Sequence, residues 1–129
     1  MKTYRKILIV DDSPTSRMII QRCFEMIGAE AGEYLYAENG IEGLTIAGDE
    51  KEIDLVFSDI NMPKMDGKTF IKLLRNKPET ANIPVIITSS IADSVAEAEL
   101  KELSISGYIK KPVSPEKIMH ILGGVDERS

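Results

Sequence analysis

"IDLVFSDINMPKMDG", residues 53–67, decides how the rest of this chain is read. Ile53, Leu55, Val56 and Phe57 are apolar with one interruption, and the chain then arrives at Asp59, followed by Pro63 and Gly67. A run that is short and apolar on both of its alternating faces reads as a strand covered on both sides, as in a parallel sheet. The carboxylate at its end is the anomaly. Asp59 taken alone is a turn-former at a strand exit, so any stronger reading must come from what the other strand ends carry.

"ILIV" at 7–10 and "PVIIT" at 84–88 have the same character, while "YLYA" at 34–37 and "GYI" at 107–109 are weaker and read as edge strands. Helical patterns lie between them. Ser13 before Pro14 has the form of an N-cap with proline at the first helical position. Ile20, Cys23, Phe24 and Ile27 follow at helical spacing, and Gly28 supplies a stop. Asn39 and Gly40 open a second helix carrying Ile41 and Leu44, and Phe70, Leu73 and Leu74 mark a third that ends before Pro78. Ala96, Leu100 and Leu103 mark a fourth. Ile118, Ile121 and Leu122 mark a fifth, starting after Pro115 and ending at Gly123-Gly124. Five strand–helix units with right-handed crossovers give an α/β, three-layer sheet with helices on both faces. Periodicity leaves the strand order open.

The chain's 129 residues, 43% of them hydrophobic, suit one domain over 1–129 with a core of about 5–124. A net charge of -5 with scattered basic residues argues against a nucleic-acid surface. The one cysteine, Cys23, lies in an apolar helical stripe and reads as a small buried hydrophobe. "MKTYRKILIVDD" has four consecutive apolar residues, too few for a signal peptide. No run approaches membrane-spanning length. A soluble, cytoplasmic protein without membrane insertion is the expectation.

Polar residues recur where the strands end: Asp11 and Asp12 after the first, Asp59 after the third, Ser89 and Ser90 after the fourth, Lys111 after the fifth. In a parallel sheet these share one rim, where open α/β sheets place their functional crevice. Each residue alone has a bland reading: an N-cap, a turn, a loop hydroxyl, a solvated lysine. Together they form a site. Two like charges about 4 Å apart repel by roughly 4 kcal/mol at an effective dielectric near 20. Some of the carboxylates are therefore protonated, or a cation sits among them. Magnesium suits all-oxygen sites with few protein ligands, and a lysine beside it can hold a phosphoryl oxygen.

"ILIVDD", "SDINMPKMDG", "PVIITSS" and "GYIKKP" together resemble the signature segments of response-regulator receiver domains. The resemblance covers about residues 5–124, with 30 positions from Asp59 to Ser89 and 22 from Ser89 to Lys111. Its closest form is the stand-alone CheY-like type. It implies a flavodoxin-like (βα)5 fold with a parallel five-stranded sheet in the order 2-1-3-4-5. It also implies that Asp59 accepts a phosphoryl group from a histidine kinase or phosphotransfer domain. Mg2+ would be held by Asp12 and Asp59 directly, by Asp11 through water and by the Asn61 carbonyl. Ser89 would donate to the phosphoryl group, Lys111 would pair with it, Tyr108 would act with Ser89 as the switch, and Lys111-Pro112 would be cis.

Some positions depart from the commonest family pattern. Ser89 stands where threonine is frequent, Ser90 leaves the phosphoryl group accessible, and Val113 replaces a frequent aromatic. Ile91 is apolar where many relatives are polar, which favours slower hydrolysis of the acyl phosphate. His120 reads as a surface residue. The implied output is a protein target recruited to the face of the fourth helix, fifth strand and fifth helix, by a monomer or a phosphorylation-induced dimer. Chemotaxis, or the role of phosphorelay intermediate, fits this frame. A magnesium-dependent phosphatase would favour aspartate at position 61 rather than Asn61, and no G-x-G-x-x-G or P-loop supports a nucleotide or flavin module. A receiver kept only as a scaffold would not need the full acidic, hydroxyl and lysine set.

Overall fold

A computed structural model describes residues 3–90 and 94–128. The chain alternates strand and helix throughout: β1 (Thr3–Val10), α1 (Pro14–Met26), β2 (Glu30–Ala37), α2 (Gly40–Asp49), β3 (Ile53–Asp59), α3 (Gly67–Arg75), β4 (Val85–Ser89), α4 (Ser94–Lys101), β5 (Gly107–Lys110) and α5 (Pro115–Arg128). All four strand pairings are parallel, and the order is β2-β1-β3-β4-β5. The weak runs at 34–37 and 107–109 do lie in the two edge strands. Lys111-Pro112 is cis.

Strand alternation divides the apolar residues between two cores. Ile7, Ile9, Phe57, Ile86 and Ile109 face one way and pack with Phe24 of α1 and Ile118 of α5. Leu8, Val10, Val56, Val85 and Ile87 face the other way and pack with Phe70, Ile71 and Leu74 of α3 and Leu100 of α4. Phe24 is the hub of the first core. Its ring meets Tyr4, Phe57 and Tyr34 edge-on, with centroids 5.4, 6.2 and 6.3 Å away, a geometry the ring quadrupole favours.

Caps fix where the helices begin. Ser13 accepts from the Ser16 N–H, Asn39 from Glu42 and Asp66 from Thr69. Gly28, with φ 79°, lets the chain leave α1 in a left-handed turn. Arg75 ties the end of α3 to its surroundings by donating to the carbonyls of Ala81, Ile83, Leu103 and Ser104.

Three helices depart from what the sequence pattern suggests. The buried face of α2 is Gly40, Gly43 and Ala47, while Ile41 is 48% exposed and Leu44 only partly covered. The cause is close approach: a Cβ at Gly43 would lie 2.8 Å from the Phe70 ring. Small residues therefore occupy the side that hydrophobicity would assign to large ones. The second correction is α5, which runs through Gly123-Gly124 to Arg128. A glycine ends a helix by taking positive φ, and Gly123 does not. Leu103 also lies beyond α4, although it still packs on the second core. Ile91, and with it the expected effect on hydrolysis, falls outside the described residues, as does the side chain of Ala96.

Cys23 is buried, as its stripe indicated, with its thiol 3.8 Å from the Val113 carbonyl. Among the described residues no helix is long and apolar enough to cross a membrane. Because Phe24 anchors three ring contacts, Phe24→Ala is expected to cost about 3–5 kcal/mol. Urea unfolding measures this, and a loss below about 1 kcal/mol would contradict the placement of Phe24 as hub.

Candidate functional site

Register brings the strand ends together. Val10 pairs with Ser58, Asp59 with Thr88, and Ser89 with Lys110, so the residues leaving β1, β3, β4 and β5 emerge on one rim. There the Lys111 ammonium lies 3.0 Å from Asp11 Oδ2 and 3.3 Å from Asp59 Oδ2. Asp12 joins them: Asp11, Asp12 and Asp59 each offer a carboxylate oxygen within 4.8 Å of the others. Asp11 and Asp59 are buried and Asp12 is exposed, so the cluster has an inner wall and an open side.

Backbone donors fix the inner carboxylates. Asp11 Oδ1 accepts from the Ser13 N–H at 2.9 Å, and Asp59 Oδ1 accepts from the Ile60 N–H at 2.8 Å. The Arg17 guanidinium donates to the Asp11 carbonyl at 2.6 Å. Sequence reasoning did not single out Arg17, because nothing in its spacing separates it from an ordinary exposed arginine in a first helical turn. Gly67 closes the other side: its N–H donates to the Ile60 carbonyl at 2.8 Å, and a Cβ there would stand 2.1 Å from the Asp59 carbonyl oxygen.

The electrostatics are unbalanced. Burial pushes the Asp59 carboxyl above its usual range, and Asp11 adds to the rise. Lys111 and the Ile60 N–H offset only part of it. Burial works against the charge on Lys111, yet its hydrogen bond to Asp11 and the field of both carboxylates carry it above the usual lysine value. Three carboxylates thus face one ammonium in a partly desolvated crevice. An all-oxygen donor set with surplus negative charge fits a small, hard divalent cation such as Mg2+. Both oxygens of Asp11 are engaged, by Ser13 and Lys111, and both of Asp59 are too, by Ile60 and at the longer 3.3 Å by Lys111, so the exposed Asp12 is the carboxylate most open to a cation.

The remaining expected residues are arranged around this centre. Ser89 is buried at the end of β4, and its carbonyl accepts from the Lys111 N–H at 2.7 Å. Tyr108, on neighbouring β5, is partly buried against the second core, and alternation along β4 places Ser89 on the same side of the sheet. Ser90 is exposed. Asn61 lies in the loop after β3 with its side chain exposed. His120 is exposed on α5.

The family model described as the response regulator receiver domain matches residues 7–123. The chain belongs to the response-regulator receiver family. It is therefore a signalling domain of the two-component type. The chain is 35% identical over 117 residues to the sensor histidine kinase CheAY of Helicobacter pylori, covering 90% of this chain and 14% of that protein. It likewise spans 36% of the length of CheV3 from the same bacterium. Protein PilH of Pseudomonas aeruginosa is 35% identical over 120 residues, with 93% of this chain and 96% of that one covered. The solved structure of CheY4 from Vibrio cholerae superimposes with a TM-score of 0.79 at 29% identity, covering 95% of this chain and 98% of that one. The strand order of this chain is the one that the receiver resemblance implied, and the superposition agrees with that fold.

Two outcomes follow from this geometry. Asp59 has a raised folded-state pKa, so without metal its ionisation should erode stability as pH rises from about 4, the unfolded carboxylate value, through the raised folded value. Urea midpoints over a pH series should show that loss in wild type and its removal in Asp59→Asn, and parallel curves would contradict it. Gly67→Ala should be poorly tolerated, with a loss of at least about 3 kcal/mol because the clash is with backbone. A wild-type melting temperature in that variant would refute the packing described.

Proposed function

We propose that this receiver is a phosphorylation switch whose acceptor is Asp59. The observation that carries the reading is the Asp59 carboxylate, set between Lys111 and the Ile60 N–H, with Asp11 and Asp12 alongside. Phosphoryl transfer needs positioning and charge neutralisation more than covalent help from the protein. In this reading an Asp59 oxygen attacks the phosphorus of a phosphohistidine. The P–N bond breaks, the imidazole leaves, and an acyl phosphate forms on Asp59.

Lys111 keeps its charge through the reaction and neutralises a phosphoryl oxygen. Asp12 and Asp59, with the Asn61 carbonyl, would hold Mg2+, and Asp11 would orient through water while retaining Lys111. The ion's part is to neutralise charge on the transferring group. Ser89 then donates its hydroxyl to the phosphoryl group, and Tyr108 follows it inward. The ligand therefore biases a pre-existing two-state equilibrium. The domain assists its own phosphorylation and dephosphorylation and turns over no other substrate.

The donor in this reading is a histidine kinase or a phosphotransfer domain, and the output is a protein target on the face of α4, β5 and α5. A groove of about 420 Å³ between β5 and α5, lined by residues including Tyr108, Lys110, Lys117 and His120, supports such a role for that part of the face. The names of the relatives, chemotaxis proteins among them, favour a motility pathway in the bacterial cytoplasm.

Incubation with acetyl phosphate and Mg2+, followed by intact mass, tests the chemistry. Wild type is expected to gain one phosphate and Asp59→Asn none, while Lys111→Met should form the adduct roughly 10²-fold more slowly. A phosphate retained by Asp59→Asn, or multiple turnover on a phosphoester, would overturn the reading in favour of a different acceptor or a phosphatase.

A further inference from the structure

Helix N-termini leave their first N–H groups without intrahelical partners. In this protein two of those donors are directed at one loop. The first N–H of α3, from Gly67, holds the Ile60 carbonyl, and the first N–H of α2, from Gly40, holds the Met65 carbonyl at 3.1 Å. Residues 60–65, which leave Asp59 and include Asn61, are thus pinned at both ends. Contact at Gly40 is as close as a backbone allows: a Cβ there would lie 2.8 Å from Met65 Cγ and 2.9 Å from the Met65 carbonyl oxygen.

The same corner holds the other half of the acidic cluster. The Ala37 carbonyl, at the end of β2, accepts from the Asp11 N–H at 3.0 Å. Between Ala37 and Gly40 the chain is stiffened by a reciprocal cap. Asn39, 3% exposed, accepts from the Glu42 N–H at 3.0 Å, and Glu42 accepts from the Glu38 N–H at 3.2 Å. Four residues that bring no side chain to the site therefore tie the strand-1 carboxylates on one side to the loop after Asp59 on the other.

We propose that the β2–α2 corner, through Gly40 and its Asn39 cap, is a positioning element that sets the spacing of the acidic pocket for cation binding and phosphoryl transfer. This rests on the function proposed above and adds residues that act through others. Filling the space at Gly40 pushes Met65, and with it the loop carrying Asn61, away from Asp11 and Asp12. The cation site widens, and the second core is disturbed where Met65 packs against it.

Neighbouring glycines on α2 supply the controls. Gly43→Ala presses first on the Phe70 ring and, at 3.2 Å, on a Val10 methyl, and lowers stability through the second core, whereas Gly48→Ala meets nothing within 4 Å. Mg2+ affinity by calorimetry, the acetyl phosphate adduct rate at saturating Mg2+, and the melting temperature are measured for each. Gly40→Ala should bind Mg2+ roughly tenfold more weakly, the scale of a lost supporting contact around a metal site, and should form adduct more slowly even at saturation. Asn39→Ala, a milder change that leaves the Gly40 space open, should shift both in the same direction by less. Gly43→Ala should lower the melting temperature and leave Mg2+ affinity unchanged, and Gly48→Ala should change neither. Relieving part of the contact in Gly40→Ala/Met65→Ala should restore some affinity. Wild-type Mg2+ affinity in both Gly40→Ala and Asn39→Ala overturns this proposal alone, as does an equal loss in Gly43→Ala. A wild-type protein that binds no Mg2+ and takes no phosphate overturns it together with the function it rests on.

Discussion

A single ammonium, that of Lys111, is shared between two buried carboxylates from different strands, and the rest of the molecule is arranged so that this can happen. Asp11 and Asp59 cannot approach each other as bare anions in a desolvated crevice. Lys111 makes the approach tolerable without making it neutral, because Asp12 adds a third negative charge. In the proposed switch, that surplus is what draws a cation to the crevice and, through it, a phosphoryl group. A fully balanced site would be a structural ion pair and little else.

The fold is what delivers these groups. Parallel strands share a direction, so their carboxyl ends share a rim. The β2-β1-β3-β4-β5 order puts β3 centrally, with β1 and β4 on its flanks. Alternation then gives Ile9, Phe57 and Ile109 to the first core, while two residues further along the chain Asp11, Asp59 and Lys111 meet in the crevice at the rim. The apolar core thus sets the positions of the charged groups. Close backbone contacts refine them, since Gly67 and Gly40 allow the loop after β3 to be gripped by two helix ends.

Much of this was legible in the residues. The central strands announced themselves because burial on both faces leaves an unbroken apolar run, and Ser13, Asn39 and Pro14 marked helix starts through cap chemistry that is local. Asp11, Asp12, Asp59 and Lys111 could be grouped because strand ends in a parallel sheet converge. What the pattern did not carry was contact between distant backbones. The buried face of α2 is set by how near Phe70 comes, so Ile41, one of the two large apolar residues that marked this helix, lies outward. The glycines at 123 and 124 looked like a stop, although a stop depends on a backbone angle that composition does not report. Arg17 and Gly40 act through main-chain groups of other segments, and no spacing rule marks such a role.

The proposed switch depends on Asp59, rather than either neighbouring aspartate, being the group that bonds to phosphorus. Borohydride reduces an acyl phosphate to the alcohol, so trapping the phosphorylated protein and mapping its peptides identifies the residue directly. Homoserine at position 59 and at no other aspartate is the expected result. Homoserine at Asp11 or Asp12, or unreduced aspartate throughout a protein shown by mass to carry phosphate, would contradict it.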